Sequence, residues 1–267
     1  MAPMNDRTIG FEFEFAAGGP TSSVVAFQGT EGISELFRYD IDLAFREESF
    51  TPEEILGKEA VLRMRSPEGD RLVRGIVAQL ERLDRSARFF RYRVRLVPKV
   101  WTLTLRHDLR IFQGKTAPDI IREVLTRAGV PSSEFQITVS GQTVPEREYC
   151  VQYRESDWNF ISRLLEEEGI PYFFQHEEDV TKLVMTNAPA TDRKISGDDA
   201  ILYREHGFGT AGAEHVRGFR FLRQLRAGSY MLQDFDFKQP SLNLGSTSEQ
   251  AELEREPSLR MYDYPGE

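Results

Sequence analysis

The chain has 267 residues, 40% of them hydrophobic and 29% charged, with a formal net charge of −9 at pH 7. This is neither the composition of a disordered segment nor that of a membrane-embedded bundle, and no stretch approaches the roughly 18 apolar residues of a spanning helix. One cysteine, Cys150, excludes an internal disulfide and, beside four scattered histidines, a cysteine-based zinc site. The opening MAPMNDRTIGFEFEF has neither the basic start nor the continuous apolar core of a secretory leader. A cytoplasmic protein without stable membrane insertion is therefore expected.

In chain order, FEFEF at residues 11–15 alternates strictly, the period of a strand with one buried face. FRYDIDLAF at 37–45 repeats the pattern with Phe37, Tyr39, Ile41, Leu43 and Phe45 on one side. Thr51-Pro52-Glu53-Glu54 then supplies a cap, a first-turn proline and a glutamate three after the cap, and Gly57 stops this short helix. Residues 61–64 and 71–80 flank SPEGD and read as a hairpin. In residues 90–97, Tyr92, Val94 and Leu96 oppose Arg91, Arg93 and Arg95. Thr116 caps a second helix with Ile120, Ile121, Val124, Leu125 and Ala128 on one face before Gly129. A strand at 149–153 carries Cys150, which reads there as a small buried hydrophobe. Ser156 caps a third helix, whose face is Phe160, Ile161, Leu164 and Leu165 and whose stop is Gly169. Further strands are expected at 172–176, 182–186, 218–225 and 229–237. So many short strands with few helices predict a mainly β, α+β chain of antiparallel sheets or barrels.

Two features run across these elements. Residues 61–110 hold 13 Lys+Arg against 5 Asp+Glu, while the remainder holds 21 against 38. Such segregation predicts that Arg91, Arg93 and Arg95 meet acidic surface on another subunit. The second and third helical units also align at an offset of 40. Ile111 matches Val151, Thr116 matches Ser156, Ile120-Ile121 matches Phe160-Ile161, and Gly129-Val130-Pro131 matches Gly169-Ile170-Pro171. Two copies are too few for a repeat array.

No motif for chemistry stands in a supporting context. GFGTAG at 207–212 fits G-x-G-x-x-G but lacks a buried strand before it and a helix after it, so it reads as a loop without a cofactor. His107, His176, His206 and His215 form no helical ligand pair, and no metal or catalytic site is assigned. Glu166-Glu167-Glu168 could tempt a carbohydrate-active, peptidoglycan-degrading reading. Consecutive helical residues diverge by about 100° each, however, and do not face one sugar. Their charge opposes the helix dipole, which predicts a neighbouring cation, with the basic 61–110 module as its source. Single-stranded nucleic acid could use the arginine strand, but Tyr92 lies on the opposite face.

YCVQYRESDWNFISRLLEEEGIPYFF at residues 149–174 closely resembles the signature of the VgrG spike-protein family of type VI secretion. More distantly it is similar to hub proteins of contractile phage tails. EGISELFRYDIDL (31–43), LGKEAVL (56–62), RGIV (74–77), PKVWTLTLRHDLRIFQGKTAPDII (98–121), DFDFKQP (234–240) and YDYPG (262–266) extend the likeness over nearly the whole chain. The resemblance implies a non-enzymatic structural hub of two antiparallel β-barrel-like domains with helical insertions. Three copies would form a pseudo-hexameric ring between an Hcp-like hexameric tube and a puncturing needle, carrying effectors or adaptors. Assembly would be cytoplasmic, followed by injection into a target cell. The implied domains are 1–105, a first barrel; 106–148, a helical insertion; 149–225, a second barrel; and 226–267, a return strand and exit linker toward an OB-fold and needle. In this light the 149–174 segment is an architectural joint. Arg154, Glu155, Ser156 and Asp157 turn strand into helix, Trp158, Phe160 and Leu164 pack it, and Glu168, Gly169, Pro171 and Tyr172 return it to a sheet.

Overall fold

The computed structural model describes residues 10–16, 18–47, 50–65, 69–83, 88–141, 143–188, 202–203, 215–216, 218–250 and 253–264. These fall into two compact units, one within residues 10–188 and one within residues 202–264. The 66–68 part of the expected hairpin turn, the 207–212 glycine loop with His206, and Pro265-Gly266 lie outside the described residues.

The first unit begins with six strands: β1 Gly10–Phe15, β2 Ser23–Thr30, β3 Arg38–Phe45, β4 Glu59–Arg65, β5 Arg71–Arg82 and β6 Phe90–Val97. They form one antiparallel sheet in the order β1-β4-β5-β6-β3-β2. Alternation decides which side faces in. Phe37, Tyr39, Ile41, Leu43 and Phe45 are buried with Phe13, Leu62, Val73, Tyr92, Val94 and Leu96 in a single core, while Arg91, Arg93 and Arg95 face out. Helix α1 (Pro52–Ile55) follows the Thr51 cap, where the Glu54 carboxylate accepts the Thr51 N–H at 2.7 Å. β2 is an edge strand on which Val24 and Phe27 pack on the core while Val25 and Ala26 are exposed, a spacing without strict alternation that gave no signal in the sequence.

The rest of this unit surrounds a second core. A 3-10 helix, Lys99–Leu105, leads into β7 His107–Phe112, α2 Ala117–Arg127 and β8 Phe135–Thr138. Next come β9 Cys150–Ser156, α3 Asp157–Glu167, β10 Tyr172–His176 and β11 Thr181–Thr186. Ile120, Ile121, Val124 and Leu125 of α2 share the core with Trp158, Phe160, Ile161, Leu164 and Leu165 of α3. That core draws on residues from both sides of position 148. β10 and β11 pair antiparallel, but β11 and β8 pair parallel, a register that the hairpin-like sequence did not announce.

The offset of 40 has a structural counterpart. α2 and α3 both span 11 residues. Each is capped by a hydroxyl: the Asp119 N–H reaches Thr116 Oγ1 at 3.3 Å and the Asn159 N–H reaches Ser156 Oγ at 3.1 Å. Each ends in one closing pattern, with Val130 N–H donating to Leu125 C=O and Ile170 N–H to Leu165 C=O. This C-cap needs a left-handed residue, which Gly129 (φ 81°) and Gly169 (φ 63°) supply without a Cβ clash. β7 and β9 pair antiparallel with Ile111 opposite Val151, Phe112 opposite Cys150 and Arg110 opposite Gln152. Because the matched residues Ile111 and Val151 face each other, a local two-fold axis relates the two halves.

The second unit holds β12 Leu202–Tyr203, β13 His215–Val216, β14 Ser229–Asp234, β15 Leu244–Glu249 and β16 Arg260–Asp263. β14 is central, antiparallel to β15 and parallel to β16. The expected strand at 218–225 has no strand partner among the described residues. Ser229 and Glu256 are the buried side chains here, and no apolar side chain of this unit is fully buried among the described residues. The Glu256 carboxylate accepts the Leu253 N–H at 2.9 Å and ties down the chain before β16.

Candidate functional site

The N-terminus of α3 is built around a buried anion. Asp157, 1% exposed, occupies the first helical turn, where the free N–H groups and the helix dipole favour negative charge. Arg106 Nε donates to its Oδ2 at 3.1 Å, and Arg110 and Gln152 both donate to Oδ1, the latter at 2.9 Å. Arg110, 10% exposed, also donates to Gln152 Oε1 at 2.8 Å, and the Asp157 N–H reaches the Arg106 carbonyl at 2.8 Å. The network pins helix α3 to the β7–β9 ribbon. Arg106, Arg110 and Gln152 were not marked in the sequence: Arg106 and Arg110 stand four apart, before and within β7, Gln152 lies on β9, and only the β7–β9 pairing brings them together.

The acidic end of α3 has its cations, but not from the 61–110 module. Arg147 donates to Glu167 Oε2 at 2.5 Å and to Glu168 Oε1 at 2.6 Å. Arg163, one turn before Glu167, donates to its Oε1 at 3.0 Å and to Glu155 Oε1 at 2.8 Å. Burial works against the Arg163 charge; the hydrogen bonds from Glu155 and Glu167 outweigh it and hold the guanidinium more basic than usual. Both Glu167 oxygens are thereby engaged, and Glu166 points to solvent away from them. The cations are local because helical spacing brings Arg163 onto Glu167 and the Lys115–Arg147 bridge brings Arg147 beside the helix end. Cys150 is buried next to this cluster, and burial pushes its thiol up, away from the reactive thiolate.

The other signature residues have structural assignments. Arg154 sits at φ 52°, in a bulge where Tyr153 and Arg154 together oppose Leu109. A left-handed non-glycine residue costs on the order of 1–3 kcal/mol and re-aims the strand into the helix. Trp158 packs edge-on against Tyr172 at 5.3 Å, and Phe160 stacks on Phe112 at 5.7 Å. Leu164 is fully buried. The Pro171 carbonyl accepts the Thr186 N–H at 3.0 Å, and the Tyr172 carbonyl accepts that of Ser34 at 2.7 Å. Burial pushes the Tyr172 phenol up to about 12.

Arg91, Arg93 and Arg95 find acids within their own sheet. β3 lies beside β6 with Asp40 opposite Arg95 and Asp42 opposite Arg93. Arg95 Nε donates to Asp40 at 2.7 Å and Arg93 Nε to Asp42 at 2.7 Å, while Arg91 lies 3.9 Å from Asp42. Asp40 and Asp42, whose alternation in RYDID puts them on the same side, thus pair with these arginines inside the chain.

A second polar cluster, unmarked in the sequence, joins the two cores of the first unit. Glu31 accepts hydrogen bonds from Tyr39 Oη and from Arg71, the latter at 2.7 Å, and lies 3.6 Å from His176 Nε2. Burial raises its pKa, but His176, Tyr39 and Arg71 outweigh that and bring it to about 2 from 4.5. A depressed acid contributes stability above its unfolded value and loses it on protonation. Denaturation midpoints of the wild type should therefore fall more steeply than those of Glu31→Gln as pH drops from about 4.5 to about 2. Parallel curves would mean that Glu31 adds nothing at this joint.

Residues 30–267 match the family described as phage tail baseplate hub (GPD). The chain is 35% identical over 241 residues to the type VI secretion system spike protein VgrG1a of Pseudomonas aeruginosa, covering 90% of this chain and 37% of that protein. It is 32% identical over 257 residues to the actin cross-linking toxin VgrG1 of Vibrio cholerae, covering 92% of this chain and 23% of that protein. The chain thus spans only about a third or less of these relatives. Among solved structures, the E. coli c3393 protein, a type VI secretion component described as similar to the T4 tail proteins gp27 and gp5, superposes with TM-score 0.63. Its identity is 27%, over 72% of this chain and 52% of that one. A 43 kDa tail protein of prophage MuSo2 from Shewanella oneidensis shares the fold at TM-score 0.61 and 13% identity, over 96% and 72% of the two chains. Antiparallel sheet, capped helices and signature joint coincide with a match over nearly the whole chain, and the chain belongs to the phage tail baseplate hub family, akin to VgrG spike proteins.

Proposed function

We propose that this chain is a non-enzymatic hub segment of a type VI secretion or related contractile injection system. Three copies form a ring that joins a hexameric Hcp-like tube to a C-terminal OB-fold and needle, with effectors or adaptors carried on that spike. The ring is assembled in the cytoplasm and then delivered into a target cell. The observation that carries this reading is the family match over residues 30–267. The site geometry supports it, because Glu155, Asp157, Glu167, Glu168, Trp158 and Phe160 are engaged in capping, packing and ion pairs, while the adjoining cleft of about 360 Å³ holds one acid of the signature, Glu166, beside Gly169, Pro171 and Tyr172.

Sedimentation of the chain from nanomolar to high micromolar concentration should reveal a weak, concentration-dependent trimer that a fused OB-fold and needle segment tightens. The same protein should leave peptidoglycan intact, as should Glu167→Gln. A strict monomer with and without the fused segment, or peptidoglycan turnover lost in Glu167→Gln, would overturn the reading.

A further inference from the structure

β1 and β2 are the two edges of the six-stranded sheet, so each has one side without a strand partner among the described residues. They approach at one end, where Phe11 and Phe27 meet edge-on at 5.1 Å. A cleft of about 560 Å³ runs along β1 from Phe11 to Phe15 and is bounded on its other side by Pro20, Ser22 and Val24, where the chain enters β2. The Ser22 hydroxyl is buried in this lining and has no hydrogen-bond partner among the described residues. A buried orphan hydroxyl and two bare strand edges are all unsatisfied in the same seam, which a seventh strand would satisfy at once.

The chain itself carries a segment of suitable chemistry. Residues 218–226, GFRFLRQLR, alternate as a strand over Phe219, Arg220 and Phe221 and have no strand partner among the described residues, and Phe219, Phe221 and Leu222 are 82%, 77% and 82% exposed. Apolar exposure of this density marks a surface that another surface covers. Charge completes the match. Residues 215–228 contain four arginines and no acid, whereas residues 8–37 contain four glutamates and no Lys or Arg. Glu14 stands exposed on β1 with no ion-pair partner among the described residues.

We propose that the seam between β1 and β2 of one copy is closed by residues 218–226 of a second copy, laid in as an added strand. Phe219 and Phe221 enter the apolar side, backbone groups pair with the bare edges and with Ser22, and Arg220, on the opposite face, approaches Glu14. Donor segment and acceptor seam are different surfaces, so the contact is head-to-tail and closes into a ring when the rotation allows. The inference rests on the ring reading for the number of copies and names the joint between them.

Cysteine pairing tests it on the full chain. Ser22→Cys and Leu222→Cys variants, each with wild-type melting, are mixed and oxidised, with wild type as the control for native Cys150. A disulfide-linked dimer formed only in the mixture is expected, together with an about tenfold weaker association of Glu14→Arg that Arg220→Glu restores. An internally linked monomer from the double-cysteine chain would show the segment seated on its own molecule and overturn the proposal. So would association indifferent to Glu14→Arg. A trimer that forms without the cross-link defeats the seam alone; a monomer at every concentration defeats the ring reading as well.

Discussion

Replacing Asp157 with alanine is expected to lower stability by about 3–5 kcal/mol, because the nearly buried Arg110 guanidinium loses its buried anion and keeps only the half-exposed Asp108, 3.3 Å away. Few other single changes should cost as much. The loss arises less from the hydrogen bonds removed than from the desolvated charge left behind, since Arg110 is 10% exposed and Asp157 1%. Asp157→Asn should recover part of the loss, as its amide oxygen still accepts from Gln152 or Arg106. Urea denaturation followed by tryptophan fluorescence measures both variants. The midpoint should move and the slope should not. A shift below 1 kcal/mol for Asp157→Ala would mean that water reaches Arg110 and that the network is not the clamp described.

Trp158→Ala should cost a similar about 3–5 kcal/mol, by a different route. The indole fills the space between α3 and β10, and its removal leaves a cavity beside Tyr172 that the capped, glycine-stopped helix cannot collapse to fill. Tyr172 reports the change. Burial holds its phenol up to about 12 while the hydrogen bond with Trp158 lowers it; burial is the larger effect, so opening that space should bring its spectrophotometric titration down toward the ordinary value of 10.0. A destabilised variant with an unmoved Tyr172 titration would place the loss elsewhere, for example in the contacts of Trp158 within its own helix. An undisturbed melting temperature would mean that the signature tryptophan is not structural.

The strands and helices legible in the sequence are those whose periodicity and end signals agree. Phe37 to Phe45 alternate and are buried in alternation; Thr116 and Ser156 cap, and Gly129 and Gly169 stop. β2 escaped notice because an edge strand with Val25 exposed carries little pattern, and β7 because Leu109 and Ile111 face outward. Charge pairing was the least legible. The excess of arginine in residues 61–110 was visible, but its partners depended on register. Asp40 and Asp42 pair with the arginine strand because β3 lies beside β6, a neighbour relation that a local pattern does not contain. Likewise Arg147, in a loop without periodicity, serves Glu167 and Glu168 only after the fold has closed.

The two-fold relation between the β7–α2–β8 and β9–α3–β10 halves has a consequence for dissection of the molecule. The halves meet along the ribbon at Ile111 and Val151, and they share one core through α2 and α3. β8 is held not by its counterpart β10 but by β11, which lies beyond the second half. The halves are therefore interlocked rather than merely stacked, and neither can leave with its core intact. A break placed between them would yield two fragments, each with half a ribbon and an open helix face. Such fragments should recover the fold by finding each other, not separately.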